Sequence, residues 1–235
     1  MKSFAQRVLS SVVAAGALGF GAIGSAQAAA VTFDSVGDAS TLSYVLTWDG
    51  ASLNTTFAFS LTSLTSSTAV FSVTATNASS GPGQNALMSF GIDVVAPTLT
   101  GAVANAGWDA GVDLILPGSG GGAGGPGANR VDLCVYSSGG CAGGAIGGGL
   151  AEGEVNVFQL TLTTAGDFSA SGVTFTSPYS AKWQDVGLSG QSYESTAGCF
   201  DCDGGPETGV PEPASLALVG LALLGAAAAG RRRRG

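Results

Sequence analysis

Polar and apolar residues alternate with a period of two along much of this chain. Leu42, Tyr44, Leu46 and Trp48 alternate with Thr41, Ser43, Val45 and Thr47. Phe57, Phe59 and Leu61 alternate with Thr56, Ala58, Ser60 and Thr62, and Phe71, Val73 and Ala75 with Ser72, Thr74 and Thr76. Strand side chains switch faces at every residue, so each run buries one face and wets the other. Further strands are expected at 87–95, 112–116, 131–136, 155–162, 172–176 and 181–186. In 155–162 the pattern slips phase between Val157 and Phe158, which predicts a bulge or a strand covered on both faces. No part of the body carries a helical stripe, and Thr, Ser and Val favour pleated surfaces. The expected fold is all-β: a single antiparallel β-sandwich, jelly-roll or immunoglobulin-like, of about nine or ten strands over residues 29–205. Roughly 170 residues suffice for one core. Two glycine-rich stretches, 118–127 and 139–149, read as flexible loops between strands. Neither is followed by Gly-Lys-Ser/Thr, so neither is a phosphate cradle.

The two ends follow a different pattern. Lys2 and Arg7 precede an apolar stretch over 8–23 and the small residues Gly24-Ser25-Ala26-Gln27-Ala28. This predicts a secretory signal peptide over residues 1–28, cleaved after Ala28. Residues 214–230 carry no charge and one hydroxyl, Ser215. As a helix they span about 26 Å, against a hydrocarbon core of roughly 30 Å, so a short transmembrane helix is expected. Arg231, Arg232, Arg233 and Arg234 then act as a membrane stop in a cytoplasmic tail, 231–235, with everything before the span outside. The linker 206–213 holds Pro211, Glu212 and Pro213. Its prolines keep Val210 and Glu212 out of the helical region and present an extended, stiff segment at the membrane face.

Val210-Pro211-Glu212-Pro213-Ala214-Ser215-Leu216, a short Leu/Ala/Gly span and a terminal arginine cluster resemble the PEP-CTERM sorting signal of Gram-negative bacteria. The resemblance implies recognition and cleavage by exosortase, a membrane cysteine enzyme whose substrate this chain would be. It further implies an inner-membrane-anchored precursor and transfer to the cell surface or an extracellular, exopolysaccharide-rich matrix. A GPI signal ends in its apolar tail and would not carry arginines after it. In the body, Val131-Asp132-Leu133-Cys134-Val135-Tyr136, Cys141, Gly153-Glu154 and the run from Ala181 through Trp183 to Gly187 resemble the cistern subgroup of the same proteins, from which no activity carries over.

Charge narrows the partners. Of eight basic residues only Arg130 and Lys182 lie between Ala29 and Pro213, against all sixteen acids, which leaves this exported part at about −14. That charge disfavours nucleic acid and anionic lipid, and suits solubility or calcium. Cys134, Cys141, Cys199 and Cys202 are expected to form disulfides in an oxidising compartment. Three connectivities are open; Cys134–Cys141 is preferred, and Cys199–Cys202 would close a tight ring. A four-thiolate zinc site is disfavoured by the spacing of Cys134 and Cys141, and a thioredoxin-like role by the missing strand-to-helix context.

No histidine is present, which excludes Ser-His and Cys-His nucleophiles. A Ser-Lys pair would need Lys182; Glu152 and Glu154 would be the carboxylate pair of a glycoside hydrolase. Asp201 with Asp203, and Asp109 with Asp113, are the loose candidates for calcium. The reading is therefore a non-catalytic, exported structural or adhesive protein without a resident cofactor. The alternative is a calcium-supported carbohydrate-binding module, which would need an exposed aromatic pair.

Overall fold

The computed structural model describes residues 30–115 and 130–202. They fold into two antiparallel sheets of six strands each, packed face to face. The strands are β1 (Val31–Phe33), β2 (Ala39–Trp48), β3 (Ala51–Leu64), β4 (Thr68–Asn77), β5 (Gly83–Val94), β6 (Leu99–Ala104), β7 (Asp109–Ile115), β8 (Arg130–Tyr136), β9 (Val155–Thr164), β10 (Val173–Val186), β11 (Gln191–Ser195) and β12 (Cys199–Phe200). One short helix, α1 (Phe168–Ser171), is capped by the Asp167 carboxylate, which accepts from the Ser169 amide at 2.9 Å.

One sheet runs β12-β2-β3-β4-β9-β6. None of its strands contains a charged residue, and it is called the neutral sheet below. The other runs β1-β10-β5-β8-β7, with β11 also on β10, and is called the charged sheet. It holds Asp93, Asp109, Asp113, Arg130, Asp132, Lys182, Asp185 and Glu194. Three consecutive strands, β2, β3 and β4, form a simple meander in the neutral sheet.

The alternation seen in sequence sets the core. Leu42 and Tyr44, Phe57, Phe59 and Leu61, and Phe71, Val73 and Ala75 are all buried, while their hydroxyl neighbours face outwards. Against them the charged sheet presents Phe33, Phe90, Ile92, Leu133, Val135, Phe175 and Trp183. The rings interlock edge to face: Phe33 on Phe71 at 5.1 Å, and Tyr44 on Trp183 at 5.7 Å. Polar tips inside this core find partners. The Tyr44 hydroxyl donates to the Ser180 carbonyl at 2.9 Å, and Trp183 Nε1 to Thr55 Oγ1 at 3.1 Å. Burial pushes the Tyr44 phenol well above its ordinary range.

Four expectations need correction. Strand β9 has no bulge: it pairs with β4 without a shift from Thr68↔Thr163 to Thr76↔Val155. Val155 and Val157 sit on its outer face, 58% and 57% exposed; the phase slip is two valines on a solvent face. The segments 172–176 and 181–186 belong to one strand, β10. It continues through Pro178 because the register with β5 shifts between Thr176 and Tyr179, and a bulge relieves proline of the ladder donor it lacks. Strands β1, β6, β11 and β12 are too short or too glycine-rich to show a period. Last, β3 begins at Ala51, well before Phe57. It leaves β2 through the two-residue turn Asp49-Gly50, with φ of 46° and 83°, the primed-turn geometry that Asp-Gly favours.

Candidate functional site

The sorting tail leaves the body from β12. Phe200 is buried against Phe59, Phe175 and Tyr179. Asp201 turns outwards, and its carboxylate accepts from the Ser40 hydroxyl at 2.6 Å and the Thr41 amide at 2.8 Å. Its own amide donates to the Thr41 carbonyl at 2.8 Å. Cys199 and Cys202 are bonded to each other across these residues. Gly198 lies so close to the Tyr44 ring that a Cβ would meet it at 2.6 Å. The chain thus departs from a fixed point at the edge of the neutral sheet. Pro211, Glu212, Pro213, the span 214–230, Arg231, Arg232, Arg233, Arg234 and the signal peptide 1–28 lie outside the described residues. Among the described residues, no helix is long and apolar enough to cross a membrane.

The second cystine builds a cover. Cys134 on β8 is bonded to Cys141, Cα to Cα 6.0 Å, as the preferred pairing predicts. The chain beyond folds back over the outside of the charged sheet. The Ser137 hydroxyl donates to the Met88 carbonyl and the Ser89 hydroxyl to the Cys141 carbonyl, each at 3.0 Å. Leu87 and Leu150 exchange backbone hydrogen bonds at 3.0 and 2.9 Å. The flap packs closely at Gly149, where a Cβ would fall 2.6 Å from Met88 Sδ. This cover explains why residues 85–92 of β5 are all buried. The stretch 139–149, expected as a flexible loop, is instead a pinned flap; 118–127 lies outside the described residues. Cys141, set among the glycines, was the signal that one glycine run is anchored.

Lys182 lies on the same side of the charged sheet, opposite Ser89 on β5 and Glu194 on β11. Its Nζ is 2.9 Å from Glu194 Oε1, and its side chain is 9% exposed. The amine that a Ser-Lys pair would require is committed to this ion pair.

The candidate carboxylates have local partners. Glu152 accepts from the Asn85 side-chain amide, and Glu154 Oε2 from the Ala151 amide at 2.9 Å, so both brace the turn before β9. Asp109 accepts from the Ala110 amide and the Tyr136 hydroxyl. It stands opposite Tyr136, whereas Asp113 lies between Val112↔Leu133 and Leu114↔Val131 in the same ladder. Four strand residues separate the two acids by about 13 Å, too far to share one ion. Asp203 is outside the described residues. Asp93 and Asp132 lie close together on the sheet: Asp93 Oδ1 accepts from the Asp132 amide at 3.3 Å, and Asp132 Oδ2 from the Val94 amide at 2.9 Å. Burial, then the charge of Asp132, raise the Asp93 carboxyl above its ordinary range. Hydrogen bonds from Ser189 lower the Asp49 carboxyl. No three acids or cysteines among the described residues converge on a cation-sized cage.

With the exit point in place, the tail itself decides the sorting question. Residues 209–234 match the family model of the PEP-CTERM protein-sorting motif. The chain carries a PEP-CTERM sorting signal. The match begins one residue before Val210 and ends at Arg234, so it takes in the proline pair, the apolar span and the arginines. No curated protein and no solved structure matches the chain. The PEP-CTERM motif implies export, processing by exosortase and sorting to the surface. It covers the tail alone and leaves the subgroup of the body unassigned. From Cys202 to Pro211 is nine residues, at most about 30 Å when fully extended. Pro211 of the PEP-CTERM motif is therefore tethered within that distance of Cys202.

Proposed function

We propose that this chain is a non-catalytic exported protein, held by a temporary carboxyl-terminal span and released by exosortase. Its sandwich then serves as a structural or adhesive component of an exopolysaccharide matrix. One observation carries this reading: a complete sorting signal follows directly on an acidic body closed by two disulfides. The body offers no histidine, its one lysine is paired, and its candidate carboxylates brace turns.

The alternative, a calcium-supported carbohydrate-binding module, has one feature in its favour. Trp48 and Tyr193 lie 4.6 Å apart at 30° and are half-buried at the flank of the sandwich. Among the described residues, every ring except these two and Tyr136 is buried, so this pair is where a sugar would have to stack.

Replacing Pro211, Glu212 and Pro213 by alanine tests the sorting step. Full-length protein is expected to accumulate in the membrane fraction, read by immunoblot against both ends. Unchanged shortening and surface display would overturn the reading.

A further inference from the structure

The outer face of the neutral sheet has a composition that solvation alone does not demand. Protein surfaces normally carry about a quarter to a third charged residues. Here the outward positions are hydroxyls, amides and valines: Thr41, Ser43 and Val45 on β2, Asn54, Thr56 and Ser60 on β3, Val70, Ser72, Thr74 and Thr76 on β4, Val155, Val157, Gln159 and Thr161 on β9. Val103 on β6 joins them opposite Thr161 and is 60% exposed. The sheet beneath is regular except near the end of β3 and the start of β6. Strands β2 and β3 pair over ten positions without a shift, and β4 and β9 over nine.

We propose that this face is a self-association surface on which a second copy of the chain stacks, neutral sheet on neutral sheet, about a two-fold axis. Area supports a partner of this kind. Five strands at about 4.8 Å, each about ten residues long at 3.3 Å, present roughly 800 Å². That equals the share of about 800 Å² that one partner buries in a standard stable interface. Charge selects the orientation. Two exported parts, residues 29–213, of about −14 each repel, and only this face brings no charged strand residue to the contact. Stacking at about 10 Å per layer leaves the two charged faces some 30 Å apart. That is several times the screening length of about 8 Å at physiological salt. The acids that remain near the contact, such as Asp34, Asp49, Glu154 and Asp167, lie in turns at its rim. Raising salt should thus tighten the dimer. No aromatic ring lies on this face, which disfavours a stacked sugar as its occupant.

The test is sedimentation equilibrium of the full chain in density-matched detergent. Twice the chain mass is expected at micromolar concentration, with a dissociation constant that falls as salt rises. Thr74 and Val157 are paired across β4 and β9 near the middle of the face. Replacing both by lysine (T74K/V157K) should weaken the dimer at least tenfold. Asp132→Lys, on the charged sheet, should not. Gln159→Lys is the fallback if the double variant fails to fold. A monomer throughout, or a dimer indifferent to Thr74, Val157 and Gln159, would overturn the proposal. So would a monomer that binds dextran through these residues.

Discussion

The neutral sheet pairs β2 with β3, and β4 with β9, without a register shift, and shifts once between β3 and β4 and once between β6 and β9, near the strand ends. The charged sheet shifts register three times between β5 and β10 alone. Both bury the same kind of inner face, aromatic and aliphatic, so the difference lies outside the core. On the neutral sheet the outward residues are hydroxyls, amides and small apolar side chains, none of them charged, and nothing covers them among the described residues. On the charged sheet the bulges re-aim side chains, the flap buries Met88 and Ser89 from above, and Lys182 and Glu194 neutralise each other. Regular pairing produces a surface; irregular pairing produces a place where the chain must be tied down. The comparison teaches that the stability of the charged sheet depends on specific ties, whereas the neutral sheet depends on repetition.

Breaking the largest tie should separate the two. Replacing Cys134 and Cys141 together by alanine removes the closure of a short loop, worth about 2.5 kcal/mol in the chain-entropy model. Hydrogen exchange should accelerate most at Leu87, Ser137 and Leu150, where the flap is bonded to β5, while β3 and β4 accelerate by no more than the loss of global stability. Equal acceleration in both sheets would mean that the flap is not an independent unit.

A smaller effect is expected at the ion pair, and it should be asymmetric. Glu194→Ala removes the carboxylate beside the more deeply buried Lys182 and should cost about 1–2 kcal/mol by denaturant unfolding. Lys182→Met leaves Glu194, which is 24% exposed and keeps access to water, and should cost less. The reverse order would place the burial on the wrong partner.

The smallest effect concerns Asp93. Its folded carboxyl titrates above the unfolded one because of burial and of Asp132. Between those two pKa values the folded state holds the extra proton, so stability falls as pH rises through the window above about 4. Asp93→Asn keeps an acceptor for the Asp132 amide and removes the charge. It should raise the melting temperature by about 1 °C at pH 7 and by nothing at pH 3, after allowance for solvent screening.

How much of this was legible in the sequence follows from the same contrast. The neutral sheet was readable because Leu42 to Trp48, Phe57 to Leu61 and Phe71 to Ala75 keep strict alternation on strands with one wet face. Strand β5 was located but not explained: its burial on both faces comes from residues 137–149, which are distant in sequence from most of it. Strand β10 looked like two strands because a bulge at Pro178 interrupts its period. The sorting tail was legible as a motif, since its parts lie together in sequence. The Cys134–Cys141 bond was legible from spacing and compartment. The Asp201 clamp and the Lys182–Glu194 pair were not, because their partners are set by which strands become neighbours.

The near absence of cations has one more consequence. A protease of trypsin type can cut the exported body only after Arg130 or Lys182. The first begins β8, where its ladder partner is Ile115 on β7; β5 joins β8 only from Leu133 to Tyr136. The second lies within β10, between β5 and β11. Such an enzyme needs an extended, unpaired segment in its cleft, so the bond after Lys182 is not offered while the sheet stands. Cleavage there is then paced by opening of the charged sheet around β10, a durable arrangement for an exported protein.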